Sequence, residues 1–316
     1  MDDARTRTLI LVAGMLLLLG AATVAVRILK RQHNSAINPA ILETFRLRVH
    51  AWWILFSTLG AALLLGQGVT IVLFGLIAFW ALREFITLTP TRPGDHNTLF
   101  WVFFVFTPLQ FFLVGLEEYP LYSIVIPVYA FLFIPARIAF AGDHKRFLER
   151  TAKIQSGLLI CVYCLSYAPA LLTLGSLERP INTTGLLLFF ILMVQLSDVL
   201  QYAWAQIPSR HVIVPTISPG RTWEGLLGGS ISVALLGGVF WWATPFAFWL
   251  AALMSLVIAL MGFAGGLTMS AIKRDRGVKD YGTLVEGHGG VLDRIDSICF
   301  AAPVFFHLTR WLLPYL

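Results

Sequence analysis

The residues with the clearest chemical potential lie between Ser270 and Asp296. Ten of these 27 residues are charged, in a chain that is 13% charged overall. Lys273, Arg274, Arg276 and Lys279 concentrate positive charge; Asp280, Asp293 and Asp296 supply hard oxygen ligands. Magnesium takes one or two such carboxylates and completes its shell with substrate phosphates and water. Asp293 and Asp296 are three apart and could share one helix face. Gly287-His288-Gly289-Gly290 is a run in which backbone can approach a phosphate closely. Apolar stretches flank the island on both sides. Charge beside a membrane is costly, so it usually serves an ion or a charged substrate.

Two further constellations precede it. Ser197-Asp198-x-x-Gln201-Tyr202 places a carboxylate inside an apolar stretch, at a cost of roughly 2.5–3.5 kcal/mol on insertion scales. A cation or a basic side chain would offset that cost. Asp198 and Tyr202, four apart, lie on one helix face. Ile217-Ser218-Pro219-Gly220-Arg221-Thr222-Trp223-Glu224-Gly225 follows. Ser-Pro-Gly reads as a turn, Arg221 and Thr222 as donors to phosphate oxygens, and Trp223 as a headgroup-level anchor or a base-stacking ring.

These elements need a membrane to hold them. Of 316 residues, 58% are hydrophobic, and the mean hydropathy is +0.78. Soluble domains are nearer 45–50% apolar. The expected fold is all-α and polytopic, with about ten spans of about 20 residues each: 8–28, 49–67, 69–89, 98–116, 119–140, 154–175, 183–206, 225–243, 245–268 and 297–315. Residues 1–180 supply N-terminal helices and 181–316 carry the motifs, read together as one integrated membrane domain. The net charge of +6 reflects basic loops on one side of the membrane and argues against nucleic acid as a partner. The first span reads as retained, since it has no clear small-x-small cleavage site and Arg27, Lys30 and Arg31 follow it. Those charges place the N-terminus outside and, by alternation, loops 90–97 with Arg92, 141–153 with Lys145, Arg146, Arg150 and Lys153, 207–224 and 269–296 in the cytoplasm. Cys161-x-x-Cys164 has no second ligand pair and reads as packing, as does Cys299.

The motifs also resemble a known family. Ser-x-apolar-Lys-Arg-x4-Lys-Asp-x-Gly-x5-His-Gly-Gly-apolar-x-Asp-Arg-apolar-Asp is similar to the signature of the phosphatidate cytidylyltransferases, or CDP-diacylglycerol synthases. The Ser218–Gly225 loop and the Asp198/Tyr202 pair match motifs upstream of it, and Arg83-Glu84-Phe85 resembles a family glutamate followed by an aromatic residue. Val285, Glu286 and Gln201 depart from the family pattern, and Ala203 to Arg210 lacks the family's glycines.

The resemblance implies CMP transfer from CTP to phosphatidic acid, giving CDP-diacylglycerol and pyrophosphate. It implies a bacterial inner-membrane enzyme of phospholipid biosynthesis whose active site faces the cytoplasm. Homodimerisation and a monovalent cation beside Mg²⁺ stay open. Asp198 and Asp280 are the leading metal candidates, with Asp293 and Asp296 next. Lys273, Arg274, Lys279, Ser218, Arg221 and Thr222 are the phosphate-binding candidates. Tyr202 and Trp223 join the substrate site, and His288, a catalytic candidate, is left to bind pyrophosphate, to order the glycine loop, or to do neither. The nucleotide is expected near Lys279 and the lipid phosphate near Arg221. A transporter of an anionic substrate, or a relative using another lipid phosphate, is the alternative reading.

Overall fold

The computed structural model describes residues 2–31, 39–88, 91–176, 181–207, 211–282 and 289–316. His288, Val285 and Glu286 lie outside these. Among the described residues the helical runs are α1 Asp2–Arg31, α2 Pro39–Leu65, α3 Gln67–Leu88, α4 Pro93–Gly115, α5 Tyr119–Phe140, α6 Phe147–Gly175, α7 Thr183–Trp204, α8 Trp223–Val239, α9 Phe248–Asp275 and α10 Leu292–Leu312. Six of them, α3 to α7 and α9, are long and apolar enough to cross a membrane. The apolar parts of α1, α2 and α8 are shorter. Each expected span coincides with one of these runs, so the chain is a polytopic, all-α integral membrane protein. A helix satisfies its own backbone, which hydrocarbon cannot do for it.

The chain forms two compact units, Met1–Thr70 and Ile71–Leu316. In the first, α1 packs on α2, and the indole of Trp53 donates to Thr23 Oγ1 at 3.1 Å. In the second, α7 is the innermost helix. Every residue from Leu186 to Val194 is buried, as expected of a helix that is hydrophobic all round. α8 instead turns Trp223, Leu227, Ile231, Leu235 and Val239, spaced by four, to the outside as a lipid face. Its other side closes on α7 through glycine. A Cβ on Gly229 would stand 2.6–2.7 Å from Gln201 Cγ, Cα and N, so only glycine lets the two backbones approach this far.

Helices α7, α8, α9 and α10 pack in succession, and α10 returns to α7. This places the C-terminal ends of α7 and α9 and the N-terminal ends of α8 and α10 together. The one pair of strands among the described residues bridges α7 and α8: β1 Val212–Val214 runs antiparallel to β2 Ser218–Thr222. The turn falls at 215–217, with Ile217 N–H donating to Val214 at 3.2 Å. The expected Ser-Pro-Gly turn is therefore corrected: those residues lie in β2. Proline is tolerated there because both strands of a two-stranded ribbon are edges.

Loops 90–97 and 141–153 are likewise joined. The buried Arg150 guanidinium donates through Nε to both carboxylate oxygens of Asp95 at 3.0 Å, and through Nη1 to the carbonyls of Asp143 and Lys145. Arg92 pairs with Asp143 at 3.2 Å. Arg150, counted in the sequence as loop charge, is an interior ion pair. Cys161, Cys164 and Cys299 are free thiols.

Candidate active site

Asp198 is held near the end of the buried helix α7. Its Oδ1 accepts a hydrogen bond from Ser297 Oγ at 2.9 Å. The same hydroxyl lies 3.5 Å from Asp296 Oδ1, which also accepts the Ser297 amide at 2.7 Å. Two carboxylates from α7 and α10 thus share one hydroxyl. Asp296 stands one residue before the apolar run that begins at Ser297. Burial, and then the charge of Asp198, push its carboxyl above the usual range; Arg221 and Lys273 pull the other way.

Arg221 comes from β2. Its guanidinium stacks over the Phe263 ring at 4.7 Å and donates from Nη1 to the Phe263 carbonyl at 3.2 Å. A Cβ on Gly266 would collide with Nη2 and stand 3.5 Å from Asp296 Oδ2, so this glycine of α9 makes room where the guanidinium and the carboxylate meet. Thr222, next in the chain, uses its hydroxyl oxygen as an acceptor in this arrangement. It is buried and caps α8, accepting the Gly225 amide at 3.0 Å. Trp223 is half-exposed and opens the lipid face of α8. Ser218 and Tyr202 are partly buried.

The remaining candidates form a second group around the loop between α9 and α10. Lys273 donates to Asp293 Oδ1 at 2.7 Å and lies over the Tyr281 ring. Asp293 Oδ2 accepts the amides of Tyr281 at 2.8 Å and Gly290 at 2.9 Å. Asp293 and Asp296, expected to share a task, are therefore separated: one ties the loop, the other faces Asp198. Arg274 donates to the carbonyls of Ile217 at 3.2 Å and Val278 at 3.1 Å, joining the two motif loops. Lys279 and Asp280 are exposed. Asp280 Oδ1 and Asp293 Oδ2 both lie within 3.4 Å of where a Cβ on Gly289 would stand.

Several residues that matter here had partners that the sequence did not reveal. Ser297 reads as one more small residue of an apolar run. Gln201, the departure from the family pattern, is buried and donates to Ser197 Oγ at 2.9 Å and the Ala259 carbonyl at 3.2 Å, stitching α7 to α9. Glu224 accepts the His211 amide at 3.0 Å, and Trp223 N–H donates to the His211 carbonyl at 2.9 Å, closing the base of the hairpin. Glu84, in α3, accepts the amides of Val291 at 3.0 Å and Leu292 at 2.8 Å. Its sequence signal was the Arg83-Glu84-Phe85 resemblance, which did not show what the carboxylate holds.

Among the described residues no group of three or more His, Cys, Asp or Glu side chains could enclose a metal. The facing pair Asp198 and Asp296 nevertheless suits magnesium, which needs only one or two carboxylates beside substrate phosphates and water. The pair brings two negative charges together, and a cation would offset their repulsion.

Fold and site together describe a helical membrane enzyme with cations and carboxylates gathered at one end of its bundle. The sequence profile of the cytidylyltransferase family matches residues 46–312, and the chain belongs to that family, whose members are CTP-dependent nucleotidyltransferases. It is 37% identical over 269 residues to the uncharacterized protein YnbB of Escherichia coli, covering 84% of this chain and 87% of that one. It is 38% identical over 120 residues to a phosphatidate cytidylyltransferase of Staphylococcus saprophyticus, and 46% identical over 105 residues to one of Synechocystis. Those two alignments cover 37% and 32% of this chain and 46% and 35% of the relatives, so the chain matches less than half the length of either.

Proposed function

We propose that the chain transfers the cytidylyl group of CTP to phosphatidic acid, releasing pyrophosphate and leaving CDP-diacylglycerol in the membrane. The observation that carries this reading is the meeting of Asp198, Asp296 and Arg221, from three separate elements, at one end of a bundle that also turns an apolar face to lipid. The names of the partial relatives point to the same acceptor.

A phosphate oxygen of the lipid attacks the α-phosphorus of CTP, and the bond from that phosphorus to the bridging oxygen of the β-phosphate breaks. The electron pair leaves with pyrophosphate. The nucleophile is already anionic, so no side chain need remove a proton. The main obstacle is repulsion between two polyanions. Magnesium bound at Asp198 and Asp296 would screen the triphosphate and stabilise the leaving group. Arg221 is held in place by Phe263 and presents its charge beside Asp296. Lys273 is fixed by Asp293 and adds a second positive charge near the pair. Ser297 keeps the two carboxylates in register. The lysine and arginine excess of the motif loops supports a cytoplasmic orientation for this end of the bundle, the side where nucleoside triphosphates are found.

The test is purified protein in mixed micelles with labelled CTP, Mg²⁺ and a panel of lipid phosphates. Equal amounts of CDP-diacylglycerol and pyrophosphate are expected with phosphatidic acid. Release with a different lipid phosphate alone would displace phosphatidic acid as the acceptor. No release with any lipid would overturn the reading.

A further inference from the structure

We infer that Glu84 is a positioning residue of the reaction: a carboxylate of α3 that caps α10 from outside and thereby sets where Asp296 stands. An α-helix leaves its first amides without partners inside the helix. At α10 two of these, Val291 and Leu292, donate to Glu84, which lies 207 residues away in sequence from the first. The positive end of the helix dipole favours a carboxylate at this position.

The fit around the carboxylate is tight. A Cβ on Gly282 would stand 2.9 Å from Glu84 Oε1, and one on Gly290 would collide with Oε2. Glu84 therefore touches the residues on both sides of the 283–288 segment and the first turn of α10. Asp293 accepts from Tyr281 and Gly290 beside it, so the two carboxylates hold the same junction. Asp296 and Ser297 follow within about one turn of helix. A shift of the first turn moves Asp296 relative to Asp198, because α10 carries one carboxylate and α7 the other. The carboxylate also occupies amides that a phosphate would otherwise use. Substrate phosphate is thereby left to the cations.

This role rests on the proposed reaction for its kinetic consequence, but the cap can be tested without it. Glu84→Gln keeps the size of the side chain and turns one oxygen into an NH₂ group. At least one helix amide then meets a donor instead of an acceptor. Val291 has φ −61°, which proline adopts, so Val291→Pro removes one of the two donors without forcing the backbone. Hydrogen exchange of the peptide spanning 289–298 and thermal midpoints are measured for wild type, both single variants and the double variant. Kinetics with CTP and phosphatidic acid are run in parallel.

Glu84→Gln should speed exchange in that peptide and leave α7 unchanged. It should lower kcat by about 10- to 100-fold, the range expected from losing a charged hydrogen bond, and shift either KM by less than about threefold. Its penalty should shrink in the Val291→Pro background. Unchanged exchange, wild-type kcat, or penalties that simply add would overturn the inference. If the glutamine variant does not fold, Glu84→Asp, one methylene shorter, takes its place in the same cycle. If wild type shows no turnover, the proposed reaction fails, while the exchange and midpoint cycle still decides the cap.

Discussion

At the scale of single residues, the candidate acids divide by what their oxygens already hold. Glu84 and Asp293 accept backbone amides and tie the chain. Asp198 and Asp296 face one another across a serine hydroxyl. Asp198→Asn and Asp296→Asn are each expected to lower kcat by about 100-fold or more, since loss of a ligand to the proposed Mg²⁺ would remove several kcal/mol of charge stabilisation. Their thermal midpoints should hold or rise, because one of two repelling charges is gone. Near-normal turnover in both would remove the pair from the metal site. Ser297→Ala keeps both charges but frees their orientation. A loss of about tenfold with a raised Mg²⁺ requirement is expected, as for residues that orient metal ligands. Chelation with EDTA should inactivate the protein and added Mg²⁺ restore it. Asp280 is exposed, so Asp280→Asn should leave the midpoint unchanged, and a fall in turnover would bring that carboxylate into the metal–nucleotide site. Arg221 stands beside Asp296, which ties it to the carboxylate pair more closely than to the membrane surface expected from sequence. Arg221→Ala should therefore raise the KM for CTP as well as lower kcat; a rise for the lipid alone would return it to the acceptor.

At the scale of elements, the site depends on how α8 starts and how closely it lies on α7. Thr222 sits between Arg221 and a helix N-terminus, and its hydroxyl oxygen accepts the capping hydrogen bond. Thr222→Ala should cost about 1 kcal/mol of stability, while Thr222→Ser should be nearly neutral. Gly229→Ala places a methyl group against the backbone of Gln201 and should cost about 1–3 kcal/mol, followed as a loss of thermal midpoint. A neutral result would mean that α7 and α8 can separate without disturbing the bundle. The hairpin between these helices is short, but its base is fixed by Glu224 on the His211 amide and its turn by Arg274 on Ile217. This is how an exposed loop carries an arginine to a defined position.

At the scale of the whole molecule, charge argues for one orientation in the membrane, and a buried ion pair joins two of the loops. Single cysteines at positions 221 and 276 should resist labelling by an impermeant reagent outside intact cells, because both lie in basic loops expected in the cytoplasm. Ready labelling at either would reverse the orientation. The Asp95–Arg150 pair is buried and joins two of the same set of loops. Asp95→Ala leaves a buried guanidinium without its carboxylate and should cost about 3–5 kcal/mol. The double variant with Arg150→Met should recover much of that loss, measured as expression and thermal midpoint of the purified protein.

The amino-acid order by itself determined the class, the spans and the places where chemistry gathers. Hydropathy and charge are sums over neighbouring residues, and a bilayer enforces them by excluding unpaired backbone. The Lys273–Asp296 signature and the Ser218–Gly225 loop were legible for the same reason: their residues are close in sequence. The partner of each carboxylate was not. Asp293 and Asp296 are alike in type and three apart, yet one binds the loop and the other faces Asp198, 98 residues upstream. Glu84 resembled a family glutamate in sequence, but what it holds was legible only once α3 was set beside α10. Arg150 read as loop charge until Asp95 was found against it, and Ser-Pro-Gly read as a turn until β1 paired with β2. In every case an acceptor could be filled by any of several distant donors. Only the close packing of apolar helices, with glycine where backbones meet, decided which one came within hydrogen-bond reach.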